Sequence, residues 1–121
     1  MTYGWLIGTE SLLSTATLDA AESVNSRGHD LVLLRETAFG LGFMLPSGFS
    51  RFGRPDGGFG HPGAGGSVGF ADRRHGMGFG YVMTLMHAGL TVDRRSEALI
   101  DAVYEALGTP SSDGGATDRS R

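Results

Sequence analysis

The spacing of apolar positions changes several times along this chain, and each change marks an element. After the short run Trp5 to Ile7, Leu18, Ala21 and Val24 recur at helical spacing, and Ser14 stands where a cap hydroxyl can take a free amide of the first turn. The pattern predicts a helix from Thr15 to about Val24, stopped by Asn25 to Gly28. From Thr37 to Leu45 the period drops to two, with Phe39, Leu41, Phe43 and Leu45 on one face and Gly40, Gly42 and Met44 on the other, which predicts a strand. Pro46, Gly48, Gly53, Pro55, Gly57 and Gly58 then mark a long loop that Arg51, Arg54 and Asp56 keep at the surface.

Beyond that loop, Gly66 to Ala71 reads as a second strand, Asp72 to Gly76 as a polar turn, and Met77 to Met86 as a third strand in which Phe79, Tyr81, Met83 and Leu85 alternate. Two strands across so short a turn make an antiparallel hairpin. Asp93 caps a second helix, with Leu99, Val103 and Leu107 beside Ile100 and Tyr104, ended by Gly108 and Pro110. Thr109 to Arg121 lacks periodicity and is expected to be disordered. The reading is α+β: a three-stranded antiparallel sheet with amino- and carboxy-terminal helices in one domain over residues 1–108, followed by a tail over 109–121.

Composition narrows the chemistry. The chain has 21 glycines, and seven of the fifteen residues from 57 to 71 are glycine, which marks backbone brought close to something else. A net charge of -3 gives no general attraction to nucleic acid or anionic lipid. All ten basic residues are arginine; without lysine, no Walker loop is possible. The absence of cysteine excludes disulfides, thiolate catalysis and cysteine-ligated metals. The first residues lack the basic flank and apolar length of a signal peptide or membrane span, so a soluble cytoplasmic product is expected.

Several short motifs have plainer readings. Gly65-Gly66-Ser67-Val68-Gly69 matches the G-x-S-x-G elbow, but Ser67 precedes strand-like residues where an elbow needs a helix. Gly58-Phe59-Gly60-His61-Pro62-Gly63 spells G-x-G-x-x-G without the strand and helix of a dinucleotide site, and Pro62 removes an amide. His61, His75 and His87, even with Asp72, lack metal-ligand spacing on one helix face, so no metal or cofactor is expected. His29, His75 and His87 read as solvated turn or strand-end residues. His61, between glycines at the entry to a strand, is placed to donate a hydrogen bond into a cleft.

The string Phe59-Gly-His-Pro-Gly-Ala-Gly-Gly-Ser-Val-Gly-Phe-Ala-Asp72, with Phe39-Gly-Leu-Gly-Phe-Met-Leu45 upstream and Gly78-Phe-Gly-Tyr-Val-Met83 downstream, resembles the carboxy-terminal part of β-lactamase-related serine hydrolases. That family includes class C β-lactamases, D-Ala-D-Ala carboxypeptidases of the penicillin-binding-protein type, and related esterases. The resemblance spans about residues 8–108. It implies that His61-Pro62-Gly63 occupies the Lys-Thr-Gly or His-x-Gly position on the strand edging the active site. It further implies that His61 hydrogen-bonds substrate or polarises the active-site hydrogen-bond network, that Gly63 lets substrate lie against the backbone, and that the Ala64 amide is one of two oxyanion donors. Proline at position 62, where the family usually has a hydroxyl, leans towards an ester-like substrate.

The family's nucleophile motif, Ser-x-x-Lys, cannot occur without lysine, and Tyr3, Tyr81 and Tyr104 are followed two positions later by Trp5, Met83 and Ala106 where the second motif has Asn. The expectation is therefore a carboxy-terminal hydrolase fragment, inactive alone, prone to self-association. The alternatives are half of a split esterase completed by a separate amino-terminal chain, a small ligand-binding module, or a remnant of a truncated gene. No nucleic-acid or membrane partner is expected.

Overall fold

The computed structural model describes residues 3, 11–50, 52 and 57–108. The apolar run at 5–7, Arg51, Arg54, Asp56 and the 109–121 tail lie outside the described residues. The elements in chain order are α1 (Thr15–Glu22), β1 (Ser26–Asp30), β2 (Arg35–Phe39), β3 (Phe59–Pro62), β4 (Val68–Asp72), β5 (Met77–Tyr81) and α2 (Arg94–Ala106). The fold is α+β, with the antiparallel order β3-β4-β5 and a second antiparallel pair, β1-β2.

Met44 joins the two groups of strands. It bridges to Phe39 on one side and to Gly60 on the other. Its amide donates to the Gly60 carbonyl at 2.8 Å and its carbonyl accepts from the Gly60 amide at 3.0 Å. A side chain cannot stand at Gly60, because a Cβ there would come within 2.6 Å of Phe70 Cα and would overlap the Gly69 carbonyl oxygen.

Strand alternation separates two faces. Phe59, Ala71, Ala38 and Leu45 meet Leu18 of α1, with Tyr3, Leu13 and Phe43 packed at the margin. Phe43 and Phe59 stack edge to face at 5.0 Å between ring centroids. On the opposite face Met44, Phe52, Val68 and Phe70 pack with Val92, Ile100 and Tyr104. The sheet therefore has one helix on each side.

The hairpin end ties both helices down. Asp72 and Arg73 are consecutive, so their side chains leave on opposite faces. The buried Asp72 carboxylate accepts from Tyr104 Oη of α2 at 2.6 Å, from His75 Nδ1 at 2.9 Å and from the Arg74 amide at 3.0 Å. The Arg73 guanidinium pairs with Asp19 of α1 at 2.7 Å and lies 3.4 Å from Glu22. Burial pushes the Asp72 carboxyl up, but the hydrogen bonds from Tyr104 and His75 outweigh it and hold the group below the usual carboxylate range.

Several expectations are corrected. The stretch from Thr37 to Leu45 is not one strand: β2 ends at Phe39, and the chain turns through Gly42 at φ 80° before Met44. Gly40 sits at the break because a Cβ there would overlap the Ala21 carbonyl oxygen of α1. Ser26–Asp30, which overlaps the helix stop expected at Asn25 to Gly28, is an edge strand. Both of its faces lie in solvent, so it carries no apolar period. The third strand ends at Tyr81 and does not reach Met86. Asp72 is buried rather than a turn residue, and His75 is packed edge to face against Tyr104 rather than free in solvent.

Both caps form as expected. Ser14 accepts from the Thr17 amide, and Asp93 and Ser96 exchange bonds in a capping box. The buried stripe of α2 is Ser96, Ile100 and Tyr104, whereas Leu99 and Leu107 face outward.

Three outcomes test this packing. Tyr104→Phe leaves a buried carboxylate oxygen short of a donor and should lower unfolding free energy by about 1–3 kcal/mol in urea titration. The Asp72 contribution is complete above the unfolded aspartate pKa of about 3.9 and is lost as pH falls through the lower folded-state value. Asp72→Asn should therefore flatten the acid limb of the stability–pH curve. Gly60→Ala should cost roughly 1–3 kcal/mol by overpacking, against little for Gly28→Ala, where a Cβ meets nothing within 4 Å.

Candidate active site

The register of the three-stranded sheet builds the floor of a cleft. His61 pairs with Gly69, and Gly69 pairs with Gly80. All three occupy one face, so a single imidazole is followed across the sheet by two positions without side chains. That row, with Pro62, Gly63, Ser67, Val68, Tyr81 and Val82, lines an open cleft of about 350 Å³ at one end of the sheet. A Cβ at Gly69 would lie 2.7 Å from the Tyr3 ring, so glycine admits that ring against the strand. Burial pushes the Tyr3 phenol up.

His61 and Gly63 both line the cleft, His61 exposed on β3 and Gly63 just beyond its end. Ala64 is exposed on the adjoining turn and is not among the lining residues. That turn is closed by the Gly66 amide donating to the Gly63 carbonyl at 3.1 Å, and the Gly63 amide donates to Ser67 at 2.7 Å. Among the described residues no carbonyl takes the Ala64 amide. Gly65 and Gly66 have φ of 90° and 106°, which holds the turn in a conformation other residues rarely adopt.

The segment after β5 buttresses the same turn. Gly65 donates to the Gly89 carbonyl at 2.9 Å, and the His87 amide donates to the Gly65 carbonyl at 3.1 Å. The His87 ring fits against Gly66, where a Cβ would stand 2.9 Å from it. Asp93, whose carboxyl is lowered to about 2 by the Arg95 guanidinium and the Ser96 amide, anchors the far end of this segment. Arg95 also reaches back to the Leu85 carbonyl at 3.1 Å.

The imidazole differs from the sequence reading. His61 Nδ1 lies 2.6 Å from the Pro62 carbonyl, which only accepts, so the ring proton sits on Nδ1. The neutral ring then keeps an acceptor at Nε2, and only the imidazolium donates from that nitrogen. Ser67 ends a turn and precedes a strand, so it lacks the strained elbow of an α/β-hydrolase nucleophile. Among the described residues no three of His, Asp or Glu come together as a metal-binding group.

Sequence reasoning missed Gly69, Ser67 and Tyr81 as cleft residues. Their signal lay in strand register, which places Gly69 opposite His61 and Tyr81 opposite Val68.

The family model described as Beta-lactamase matches residues 1–103, and the chain belongs to that family. It is similar in structure to a penicillin-binding protein homolog from Caulobacter crescentus, with 38% identity and a TM-score of 0.74 over 87% of this chain and 29% of that one. A family VIII carboxylesterase is 31% identical, with a TM-score of 0.76 over 85% of this chain and 29% of that one. EstA from Arthrobacter nitroguajacolicus Rue61a is 32% identical, with a TM-score of 0.75 over 88% and 30% respectively. This chain thus spans under a third of the length of these solved relatives. No curated protein matches. Among the described residues no helix is long and apolar enough to cross a membrane.

The tautomer is directly measurable. Long-range nitrogen–proton correlation spectra of the neutral His61 ring should show the proton on Nδ1. A ring protonated on Nε2 instead would contradict the Pro62 contact.

Proposed function

We propose that this chain forms the carboxy-terminal wall of an ester-hydrolysing site of the beta-lactamase family, completed by a nucleophile that is not among its own residues. The observation that carries the reading is the end of β3: His61 and Gly63 line an open cleft beside a turn whose Ala64 amide, among the described residues, takes no backbone acceptor. The likeness to a family VIII carboxylesterase and to EstA supports an ester as substrate.

Each residue has a defined task. A serine activated by lysine, carried on other polypeptide, attacks the ester carbonyl carbon; the carbonyl oxygen takes the negative charge, and the alkoxide leaves with a proton from the activating group. The Ala64 amide is one donor to that oxygen, preorganised by the glycine turn and by the segment that buttresses it. Gly63 lets the acyl group lie along the backbone. His61 accepts a hydrogen bond from substrate through Nε2 when neutral and donates one when charged.

No lysine is present, so the chain alone has no Ser-x-x-Lys dyad. The purified chain should not turn over p-nitrophenyl acetate or nitrocefin. Mixing it with an amino-terminal polypeptide of the family that carries Ser-x-x-Lys should yield esterase activity, and Ala64→Pro in that mixture should lower kcat about 10²–10³-fold. Turnover by the chain alone that His61→Ala abolishes would overturn the proposal.

A further inference from the structure

The strand that follows Ser67 bars it from the role of an elbow nucleophile, yet this serine lines the cleft. Across the turn from it stands Gly63, whose amide donates to the Ser67 carbonyl one register step beyond the Pro62–Val68 pair. His61 and Gly63 on one side, and Ser67 and Gly69 on the other, therefore share a face. Two of these four positions are glycine, and each is glycine for a reason that lies within this chain. A Cβ at Gly69 would come within 2.7 Å of the Tyr3 ring, and one at Gly63 would overlap the Ser67 hydroxyl oxygen. The hydroxyl thus fills the side-chain place of Gly63.

The same turn fixes which part of a substrate this hydroxyl meets. The Gly63 carbonyl accepts from the Gly66 amide at 3.1 Å and so points into the turn; across a trans peptide the Ala64 N–H points the opposite way, out of it. Standard bond lengths put the Ala64 nitrogen within about 4 Å of the place a Gly63 Cβ would take, so amide and hydroxyl stand no more than about 6 Å apart. A carbonyl oxygen held by the Ala64 amide then leaves the Ser67 hydroxyl beside the acyl chain, about three bonds from the scissile carbon. His61, directly opposite Gly69, is the diagonal neighbour of Ser67. Its neutral ring keeps an acceptor at Nε2, because Pro62 holds the proton on Nδ1, whereas Ser67 Oγ can donate. A substrate group that both accepts and donates satisfies the pair. A plain alkyl chain there leaves two polar atoms without partners.

We propose that Ser67 is a specificity-determining residue of the ester site, and that the favoured acyl group carries a hydroxyl on the carbon β to the scissile carbonyl. That hydroxyl accepts from Ser67 Oγ and donates to His61 Nε2. Ser67 touches the acyl group and takes no part in making or breaking bonds. The inference rests on the ester-hydrolase reading and narrows its substrate class to 3-hydroxyacyl esters in preference to alkanoyl esters of the same shape.

The placement of the hydroxyl is testable in the chain alone. Gly63→Ala should lower the urea midpoint of unfolding, and Ser67→Ala added to it should recover most of the loss, because Ser67 Cβ lies an ordinary 3.5 Å from the new methyl. Equal losses with and without the Ser67 hydroxyl would overturn the proposal. Specificity is read with the amino-terminal Ser-x-x-Lys polypeptide added, from kcat/KM for p-nitrophenyl 3-hydroxybutyrate and for p-nitrophenyl 3-methylbutyrate, which differ by a hydroxyl in place of a methyl. The native mixture should favour the hydroxy ester about tenfold, and Ser67→Ala should bring the ratio close to one, with circular dichroism verifying that the variant is folded. A native ratio near one, or a preference that survives Ser67→Ala, overturns this inference while the hydrolase reading stands. A mixture that turns over neither ester contradicts that reading, and the inference falls with it.

Discussion

Gly60 is the position on which this fold turns. Its amide and carbonyl close the bridge to Met44, and its missing side chain lets β3 lie against Phe70 of β4. Through that one residue the β1-β2 pair and the three-stranded sheet become a single antiparallel layer. The constraint is steric and local, yet it decides the site: His61 follows Gly60 directly, so the depth at which β3 seats against β4 sets where the imidazole stands over Gly69 and Gly80.

From this seat the rest follows in order. Alternation puts bulky Phe59 under α1 and leaves His61, on the same face but nearer the sheet's end, exposed above a floor of glycine. The chain then leaves β3 through Pro62 into a turn that only glycines at 65 and 66 can make comfortably. Backbone bonds from the 87–89 segment fix that turn from behind, and the capped start of α2 fixes the segment. A polar junction at the far end, Asp72 to α2 and Arg73 to α1, holds the two helices to the same hairpin. The Asp72 carboxylate is worth keeping there only because four donors satisfy it; bare, it would destabilise the core.

Much of this was legible in the residues themselves. Ser14 and Asp93 announced both helices, since a cap is a local chemical requirement. The β4-β5 hairpin followed from two alternating runs across a short polar turn; His61, expected at the start of a strand from the glycine pattern and the family resemblance, is instead the third residue of the four-residue β3. What escaped has physical causes. β1 is solvated on both faces, so Ser26–Asp30 carries no apolar period to find. The alternation from Phe39 to Leu45 imitates a strand, but Gly40 is glycine because α1 presses on it, a tertiary reason no local pattern reveals. On α2, leucines 99 and 107 suggested the buried stripe, whereas the sheet selected Ser96, Ile100 and Tyr104 because Asp72 needs the tyrosine hydroxyl.

The central proposal is that the turn after β3 is one half of an oxyanion-binding site whose other half is not among these residues. The most direct measurement labels this chain with nitrogen-15 and adds an amino-terminal family polypeptide whose Ser-x-x-Lys serine has been phosphonylated, so that a tetrahedral anion mimics the intermediate. The account predicts a large downfield shift of the Ala64 amide proton, with His61 ring signals moving as well, relative to the same polypeptide unphosphonylated. An Ala64 amide indifferent to the phosphonyl oxygen, in a complex that nonetheless forms, would contradict it.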